Sequence, residues 1–563
     1  MQEDTQPGEA SGAQLRVGLI VDAPLTSKYV HDLAAWAHGR SDICISHLIV
    51  QSRPVVRAGR LAKLIGLFRR FGVRRAVREL SFRVLSGLES RVLRRSSLHA
   101  DHLQSFDLTP CVPNSVKVQP IISPSGFVYR YADEDIRAIR RLDLDLLIRC
   151  SSGVLRGEIL TACRFGILSF HHADNRINRG GPAGFWEVYF RQDSTGFVIQ
   201  QLTEELDGGN VLFRGCFATK YYYLLNQASL LKRSNHYLKE LLRDIARHRR
   251  LPRAEAPTPY VDRLFSVPDL AQQCVYLARL LPRILRRALV GLIGRERRRW
   301  RVAYAAGDWR GLVMRRARLI ENPPDRFLAD PFVMRENGVD CCFVEDCDVR
   351  GRRGHIAAYR LGDGGAERLG DALGETFHVS FPFVFRFDSK IYMCPETSEI
   401  REIRLYECVS FPLTWKLVRV IMSGVAAADP MIFEHGGAWW LFANTEPVVG
   451  GDYGSELSIF RADSPLSQSW MPHPKNPIFV DSTRARNGGL LFHDGSIFRV
   501  AQRQGFDRYG KGFSINRIVT LNATEYVEEN VCSLEPKFLA TIRGAHHLHS
   551  NGDVTVFDLF ASE

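Results

Sequence analysis

Ala329-Asp-Pro-Phe-Val-Met-Arg335 returns as Ser380-Phe-Pro-Phe-Val-Phe-Arg386 and again as Ala428-Asp-Pro-Met-Ile-Phe-Glu434. Each copy is followed by a polar turn and a second apolar run: Asp340 to Glu345, Lys390 to Cys394, and Ala438 to Phe442. Weaker copies stand at Gly488-Gly-Leu-Leu-Phe-His-Asp-Gly495 with Ile497 to Ala501, and at His546-His-Leu-His-Ser-Asn-Gly552 with Val554 to Phe557. A strand–turn–strand unit recurring roughly every 50 residues has the size of a propeller blade. Five copies predict a five-bladed β-propeller over residues 303–563. A β-sandwich with accidental similarity is the competing explanation, and three copies of one template argue against it.

Upstream of the repeats the chain changes character. Its 563 residues carry a net charge of +13, with 45% hydrophobic and 24% charged residues. Such a composition is that of folded globular protein and excludes disorder, collagen or coiled coil as the main class. At ~150 residues per domain the length calls for several domains. No apolar run reaches the ~18 uncharged residues of a membrane span. The first 14 residues are polar and are expected to be a disordered tail without a secretory signal. Twelve cysteines are scattered without any C-x-x-C pair. Reduced thiols and a cytoplasmic location follow as expectations. Cys341, Cys342 and Cys347 lack the partner spacing of a metal cluster, so no metal is expected.

Leu15-Arg-Val-Gly-Leu-Ile-Val-Asp22, Ile43 to Val50 and Asp143-Leu-Asp-Leu-Leu-Ile-Arg149 read as buried strands of an α/β domain spanning 15–250,. The domain lacks the G-x-G-x-x-G phosphate turn of dinucleotide binding. Residues 53–98 form a basic helical insertion in which Leu61, Leu64, Ile65 and Phe68 recur at helical spacing among arginines. Residues 251–302 read as a linker with a second basic amphipathic helix, which Pro282 should kink or split,. Two such helices imply peripheral contact with an anionic membrane surface on its inner face, beside the alternative that both pack on their own domains. Nucleic acid is not expected, because the arginines lie in these helices rather than among aromatic stacking positions.

Two clusters carry candidate chemistry. In Gly166-Ile-Leu-Ser-Phe-His-His-Ala-Asp-Asn-Arg-Ile-Asn-Arg-Gly-Gly-Pro182, His171 leaves the end of a strand, where open α/β sheets bind ligands,. Asp207 follows in the turn Leu206-Asp-Gly-Gly209. A carboxylate beside a histidine orients the ring and stabilises its charged form. These stretches resemble the catalytic domain of the folate-dependent formyltransferases, which includes methionyl-tRNA and sugar N-formyltransferases. The family's Asn-x-His, its Arg-Gly eight and nine residues later and its Leu-Asp-x-Gly fall on Ser169-x-His171, Arg179-Gly180 and Leu206-Asp207-Gly208-Gly209. Gly153 to Leu160 resembles the family's strand-to-helix turn, and the resemblance covers about residues 130–215. It implies a Rossmann-like fold, 10-formyltetrahydrofolate as donor, and His171, Asp207 and Ser169 as catalytic residues, with His171 and Ser169 facing an oxyanion. Ser169 stands where the family has Asn. A hydroxyl offers one donor where the amide offers two. Arg179, Gly180, Asp174 and Asn175 are the expected substrate or cofactor contacts.

In the repeats, Asp330 and Asp429 share one template position and Glu396 follows the second run of its copy. Rotationally related copies should bring the three to one end of a funnel, with Arg401 or Arg404 between them. Paired carboxyls in a cleft are what glycoside hydrolysis requires. The region resembles family-43-like glycoside hydrolases. It is also similar, over about residues 320–520, to the N-terminal domain of plant glucosamine inositolphosphorylceramide transferases. The resembling phrases are Ala329-Asp-Pro-Phe332, His378-Val-Ser-Phe-Pro-Phe383, Met393-Cys-Pro-Glu-Thr-Ser398 and Arg401-Glu-Ile-Arg-Leu-Tyr406. The fold expected is multidomain: an α/β formyltransferase-like (Rossmann-like) domain, then a five-bladed β-propeller. The function expected is N-formyl or related acyl transfer to an amino sugar, nucleotide sugar or glycolipid precursor. The alternative is an altered first domain, with the propeller as a hydrolase-like or glycosyltransferase-associated glycan-binding module.

Overall fold

The computed structural model describes residues 14–52, 60–293, 298–349 and 353–562. The polar tail expected over 1–14 lies outside them except for Gln14, as do the side chains of Leu61, Leu64, Ile65 and Phe68. Two compact units divide the chain. One runs to Arg283, and the other takes Ile284 onward together with 191–194 and 216–219.

The first unit is built on a seven-stranded sheet. Its strands are β1 (Leu15–Val21), β2 (Ile43–Gln51), β3 (Asn114–Val118), β4 (Leu146–Arg149), β5 (Ile167–His171), β6 (Ser194–Gln201) and β7 (Asn210–Ala218), in spatial order β7-β6-β5-β4-β1-β2-β3. β3, β2, β1, β4 and β5 run parallel, and β6 returns antiparallel to β5. β1 is apolar almost throughout because a parallel sheet is covered on both faces,. On one face Ile20, Ile49, Leu147 and Ile167 pack with Ile136 and Ile139 of helix α1 (Asp133–Arg140). The three acids at the start of α1 match its positive end,. Helix α2 (Tyr223–His248) buries Leu230, Tyr237, Leu238, Leu241, Leu242 and Ile245, a stripe at i, i+3, i+4,. Helix α3 (Leu270–Ile293) keeps Pro282 inside one continuous helix, so the proline does not split it. None of the described helices is long and apolar enough to cross a membrane.

The second unit holds five antiparallel sheets. Blade 1 spans 326–373, blade 2 380–423, blade 3 427–472 and blade 4 487–534. Blade 5 pairs Arg298–Ala306 antiparallel with Val554–Ser562 along its whole length, so the first and last strands of the propeller close the ring. Closure begins at 298, a few residues before the boundary expected from the repeats. The innermost strands Arg326–Glu336, Ser380–Phe387, Ala427–His435, Asn487–His493 and Leu548–Ser550 neighbour one another in that cyclic order. A closed ring leaves only short, protected edges.

Each of the first four innermost strands carries a bulge at one place. The register shifts lie between Ala329 and Phe332, Ser380 and Phe383, Ala428 and Met431, and Asn487 and Leu490. The first bulged residue in blades 1, 2 and 3 is left-handed: Asp330 at φ 50°, Phe381 at φ 47° and Asp429 at φ 47°. Aspartate tolerates this backbone better than other non-glycine residues, and a bulge re-aims the side chain. The repeated Asp-Pro thus sits on a bulge that re-aims its carboxyl,.

Candidate functional site

In the first unit His171 ends β5 and Asp207 sits in the β6–β7 turn at φ 50°. His171 Nδ1 lies 3.4 Å from Asp207 Oδ1, and Nε2 lies 2.7 Å from the carbonyl oxygen of Asn178. Both ring nitrogens face acceptors, which favours the doubly protonated ring. Burial opposes that charge, but the Asp207 carboxylate outweighs it and the His171 pKa is raised,. Burial likewise pushes the Asp207 carboxyl up, and the imidazolium beside it brings it below the ordinary value. Asp207 Oδ2 also accepts from the Gly180 N–H at 3.1 Å. Behind the pair, buried Glu187 accepts from Asn178 Nδ2 at 3.2 Å and burial pushes its carboxyl up to about 7. His172 is buried next to the charged ring and falls to about 3.

The other expected contacts in this unit have internal partners. Ser169 Oγ accepts from Arg149 Nη1 at 3.2 Å and donates to the Phe170 carbonyl at 3.1 Å. Asp174 pairs with Arg214, and Asn175 Oδ1 accepts from Arg214 Nη2 at 3.0 Å. Asn175 Nδ2 donates to the Asp207 carbonyl at 3.1 Å. Arg179 Nε donates to the Asn175 carbonyl at 2.9 Å, and its guanidinium lies over the Tyr260 ring. Asp174, Asn175 and Arg179 thus brace the loop that carries Gly180. Gly180 and Asp207 line a cleft of about 590 Å³, with Phe127, Val128, Leu264 and Phe265 among its apolar walls and Arg75, Arg78 and Arg156 among its lining cations.

In the propeller, Asp429 is 1% exposed. Arg486 donates to it twice, Nε to Oδ2 at 2.6 Å and Nη2 to Oδ1 at 3.2 Å, and Gln502 Nε2 donates to Oδ2 at 3.0 Å. Arg486 Nη2 also lies 3.8 Å from Glu396 Oε2. The guanidinium between the acids is therefore Arg486. Arg401 instead donates to the Gly424 carbonyl and Arg404 pairs with Glu402. Glu396 Oε1 accepts from Ser398 Oγ at 2.6 Å. Burial pushes the Asp429 carboxyl up to about 7, Arg486 working against the rise and Glu396 adding to it. Burial, then the charges of Glu396 and Asp429, hold Glu345 at about 8. Asp330 is raised well above the carboxyl range by burial, with Asp429, Glu345 and Asp558 adding to the rise and His546 opposing it. Asp330, Glu396 and Asp429 thus share one electrostatic neighbourhood with Glu345, which sequence reasoning missed.

Register explains Glu345. It pairs with Ala329 as Glu396 pairs with Ser380, so the two glutamates occupy the same position of adjacent blades. Asn444, opposite Ala428, is the blade 3 counterpart. Aligning the second strands as closely as the first would have found it. His546, at the start of the fifth copy, escaped too. Its Nδ1 lies 2.7 Å from Asp558 Oδ2 and its Nε2 3.3 Å from Asp330 Oδ1. Burial disfavours charge on His546, yet the two aspartates raise its pKa. Arg486 had no repeat signal. Tyr509 lies with its ring centroid 5.1 Å from the Arg486 guanidinium and 5.2 Å from the His546 ring.

Among the described residues, two groups are compact enough to hold a metal ion: Asp330, His546 and Asp558, and Glu345, Cys347 and His378. In the second, His378 Nδ1 accepts from the Gly354 N–H at 2.8 Å, which leaves the proton on Nε2, the atom facing Glu345 at 3.6 Å. That protonated nitrogen cannot ligate. In the first, both imidazole nitrogens of His546 already face carboxyl oxygens, those of Asp558 and Asp330. The donor sets therefore fit proton sharing better than metal binding.

Comparison with known proteins bears on the propeller. Residues 313–546 match the family described as glucosamine inositolphosphorylceramide transferase 1, N-terminal. Glucosamine inositolphosphorylceramide transferase 1 of Arabidopsis thaliana is 41% identical over 213 residues, covering 37% of this chain and 28% of the relative. The protein of the same name from Oryza sativa subsp. japonica is 38% identical over 210 residues, covering 36% and 28%. The chain thus spans less than a third of the length of the curated relatives it matches. Among solved structures, the family 117 glycoside hydrolase Zg3597 of Zobellia galactanivorans matches at 13% identity and a TM-score of 0.32, over 47% of this chain and 92% of that one. A thermostable family-43 glycoside hydrolase matches at 14% and 0.30, over 43% and 88%. The region that carries the Arg486-centred carboxyl cluster is therefore similar to the N-terminal part of glucosamine inositolphosphorylceramide transferases.

Proposed function

We propose that the propeller is the sugar-binding part of a glycosyl-transferring enzyme of glycolipid synthesis, and that its funnel takes an amino sugar. One observation carries the reading: Asp429 and Glu396 flank the guanidinium of Arg486, and Asp330 and Glu345 share their electrostatic neighbourhood. Carboxyls exchange hydrogen bonds with sugar hydroxyls, and an ammonium group would favour the ionised form of those that burial holds protonated. The names of the relatives, which join glucosamine to an inositol phosphate lipid, support the same substrate class. A carboxyl that stays protonated near neutral pH, Glu345, beside Glu396 is also an arrangement that acid/base chemistry at a glycosidic bond could use. Titration of the chain with glucosamine and with uncharged glucose tests this. Tighter binding of the amine, weakened by Glu396→Gln, is expected. Equal affinity for both sugars sinks the amino-sugar assignment.

Formyl transfer is a separate proposal for the first unit, and the His171–Asp207 pair beside the apolar cleft favours it. The donors do not fit a 10-formyltetrahydrofolate reaction as they stand. Both His171 nitrogens and the Ser169 hydroxyl are already engaged, so no free donor is left for an oxyanion,. Mass spectrometry of glucosamine incubated with the chain and 10-formyltetrahydrofolate decides the matter, and an added formyl group that His171→Asn abolishes would restore the proposal.

A further inference from the structure

The helix Arg60–Val92 presents two apolar faces. Inward, Ala76, Phe82, Leu85 and the neighbouring Leu93 are buried with Glu89, whose carboxyl accepts from Tyr276 OH at 3.0 Å. Outward, Val73, Val77, Leu80, Val84, Leu88 and Val92 are each between 37% and 66% exposed. At ~100° per residue these six span an arc of roughly 120°. Arg74 and Arg83, both exposed, flank the arc on its two sides, and exposed Arg91, Arg94 and Arg95 gather at its C-terminal end. The acids within 73–95 are Glu79, which is half-buried, and Glu89, which is buried, so the exposed face carries no negative charge.

We propose that this outer face docks the chain on an anionic membrane surface, the helix lying in the plane of the headgroups. An apolar stripe of this size beside the core is unexpected on a soluble surface. Flanking arginines with no acid among them match anionic headgroups. A protein partner is the weaker occupant, because the stripe holds only Val and Leu and lacks the aromatic anchors that dominate protein interfaces. The inference is independent of the funnel, since it rests on other residues and another chemistry.

Flotation of the full chain with vesicles tests it, using phosphatidylcholine alone and phosphatidylcholine with phosphatidylserine at about three to one. Flotation is expected with the anionic vesicles and should fall at high salt. Val84→Asp with Leu88→Asp, and separately Arg74→Glu with Arg83→Glu, should each lower partitioning by roughly ten-fold or more while circular dichroism stays that of the parent. Absence of flotation, or flotation that neither pair of substitutions changes, overturns the proposal. Self-association abolished by Val84→Asp with Leu88→Asp, without vesicle binding, would assign the stripe to a second copy and overturn it as well.

Discussion

Arg486 and Asp429 form a two-pronged ion pair buried at the heart of the propeller, with Nε to Oδ2 at 2.6 Å and Nη2 to Oδ1 at 3.2 Å. Removing the cation strands a carboxyl that is 1% exposed. Arg486→Met should therefore destabilise the protein by ~3–5 kcal/mol, the usual cost of breaking a buried pair from one side. Adding Asp429→Asn to that variant should recover part of the loss. Thermal unfolding of the single and double variants checks both.

Glu345 gives a pH dependence with a definite sign. Its pKa in the fold is about 8, above that of an exposed glutamate, because of burial and then of Glu396 and Asp429. The folded state therefore holds a proton that the unfolded chain releases. The stability Glu345 contributes is full below the unfolded pKa of ~4.3 and is lost as pH rises through about 8. Glu345→Gln should flatten this part of the profile, so the gap between variant and parent should widen in the variant's favour from pH 5 to 9. Thermal midpoints across that range measure it, and parallel profiles would contradict the assignment.

His171 and Asp207 shift in opposite directions, so their signs differ. The raised pKa of His171 gives stability that is full below ~6.5 and is lost as pH rises through its folded value,. The lowered pKa of Asp207 gives stability that is present above ~3.9 and is lost as pH falls through its folded value,. Asp207→Asn should drop the pKa of His171, whose ring burial alone would neutralise, and cost roughly 1–3 kcal/mol. Nitrogen-15 chemical shifts of the imidazole against pH report the change directly.

Gly180 has no room for a side chain. It stands at φ +105°, and a Cβ there would meet the Phe265 carbonyl oxygen at 2.1 Å. Gly181, next to it, has only Ala183 N at 3.9 Å. Gly180→Ala should cost roughly 2–4 kcal/mol and Gly181→Ala far less. Comparing the two thermal midpoints separates this close backbone approach from a general intolerance of the loop.

Repetition made the propeller legible, because a template that recurs with rotation must put equivalent residues at equivalent depth. Asp330 and Asp429 could be placed together for that reason. Glu345 was hidden because its partner Glu396 was read alone, without the second strands being set in register. The closing strand Arg298–Ala306 was hidden because it pairs with Val554–Ser562 at the far end of the chain, and no local pattern marks a pairing of that span,. Arg486 could not be found from sequence, since a single arginine between strands carries no periodicity. In the first unit the resemblance to the formyltransferases set His171 beside Asp207, whereas the polar loop residues Asp174 and Asn175 went to Arg214, a partner about 40 residues away.

The proposed amino-sugar site is Asp429 and Glu396 beside Arg486, with Glu345 in their electrostatic neighbourhood. Calorimetric titration of the full chain with glucosamine near pH 7, repeated in buffers of different ionisation enthalpy, tests it most directly. An ammonium group entering among carboxyls that hold protons near neutrality must displace some of them,. The account predicts saturable binding with net proton release, reduced in Glu345→Gln and weakened by Glu396→Gln. Binding without proton exchange, or binding that neither substitution alters, would contradict it.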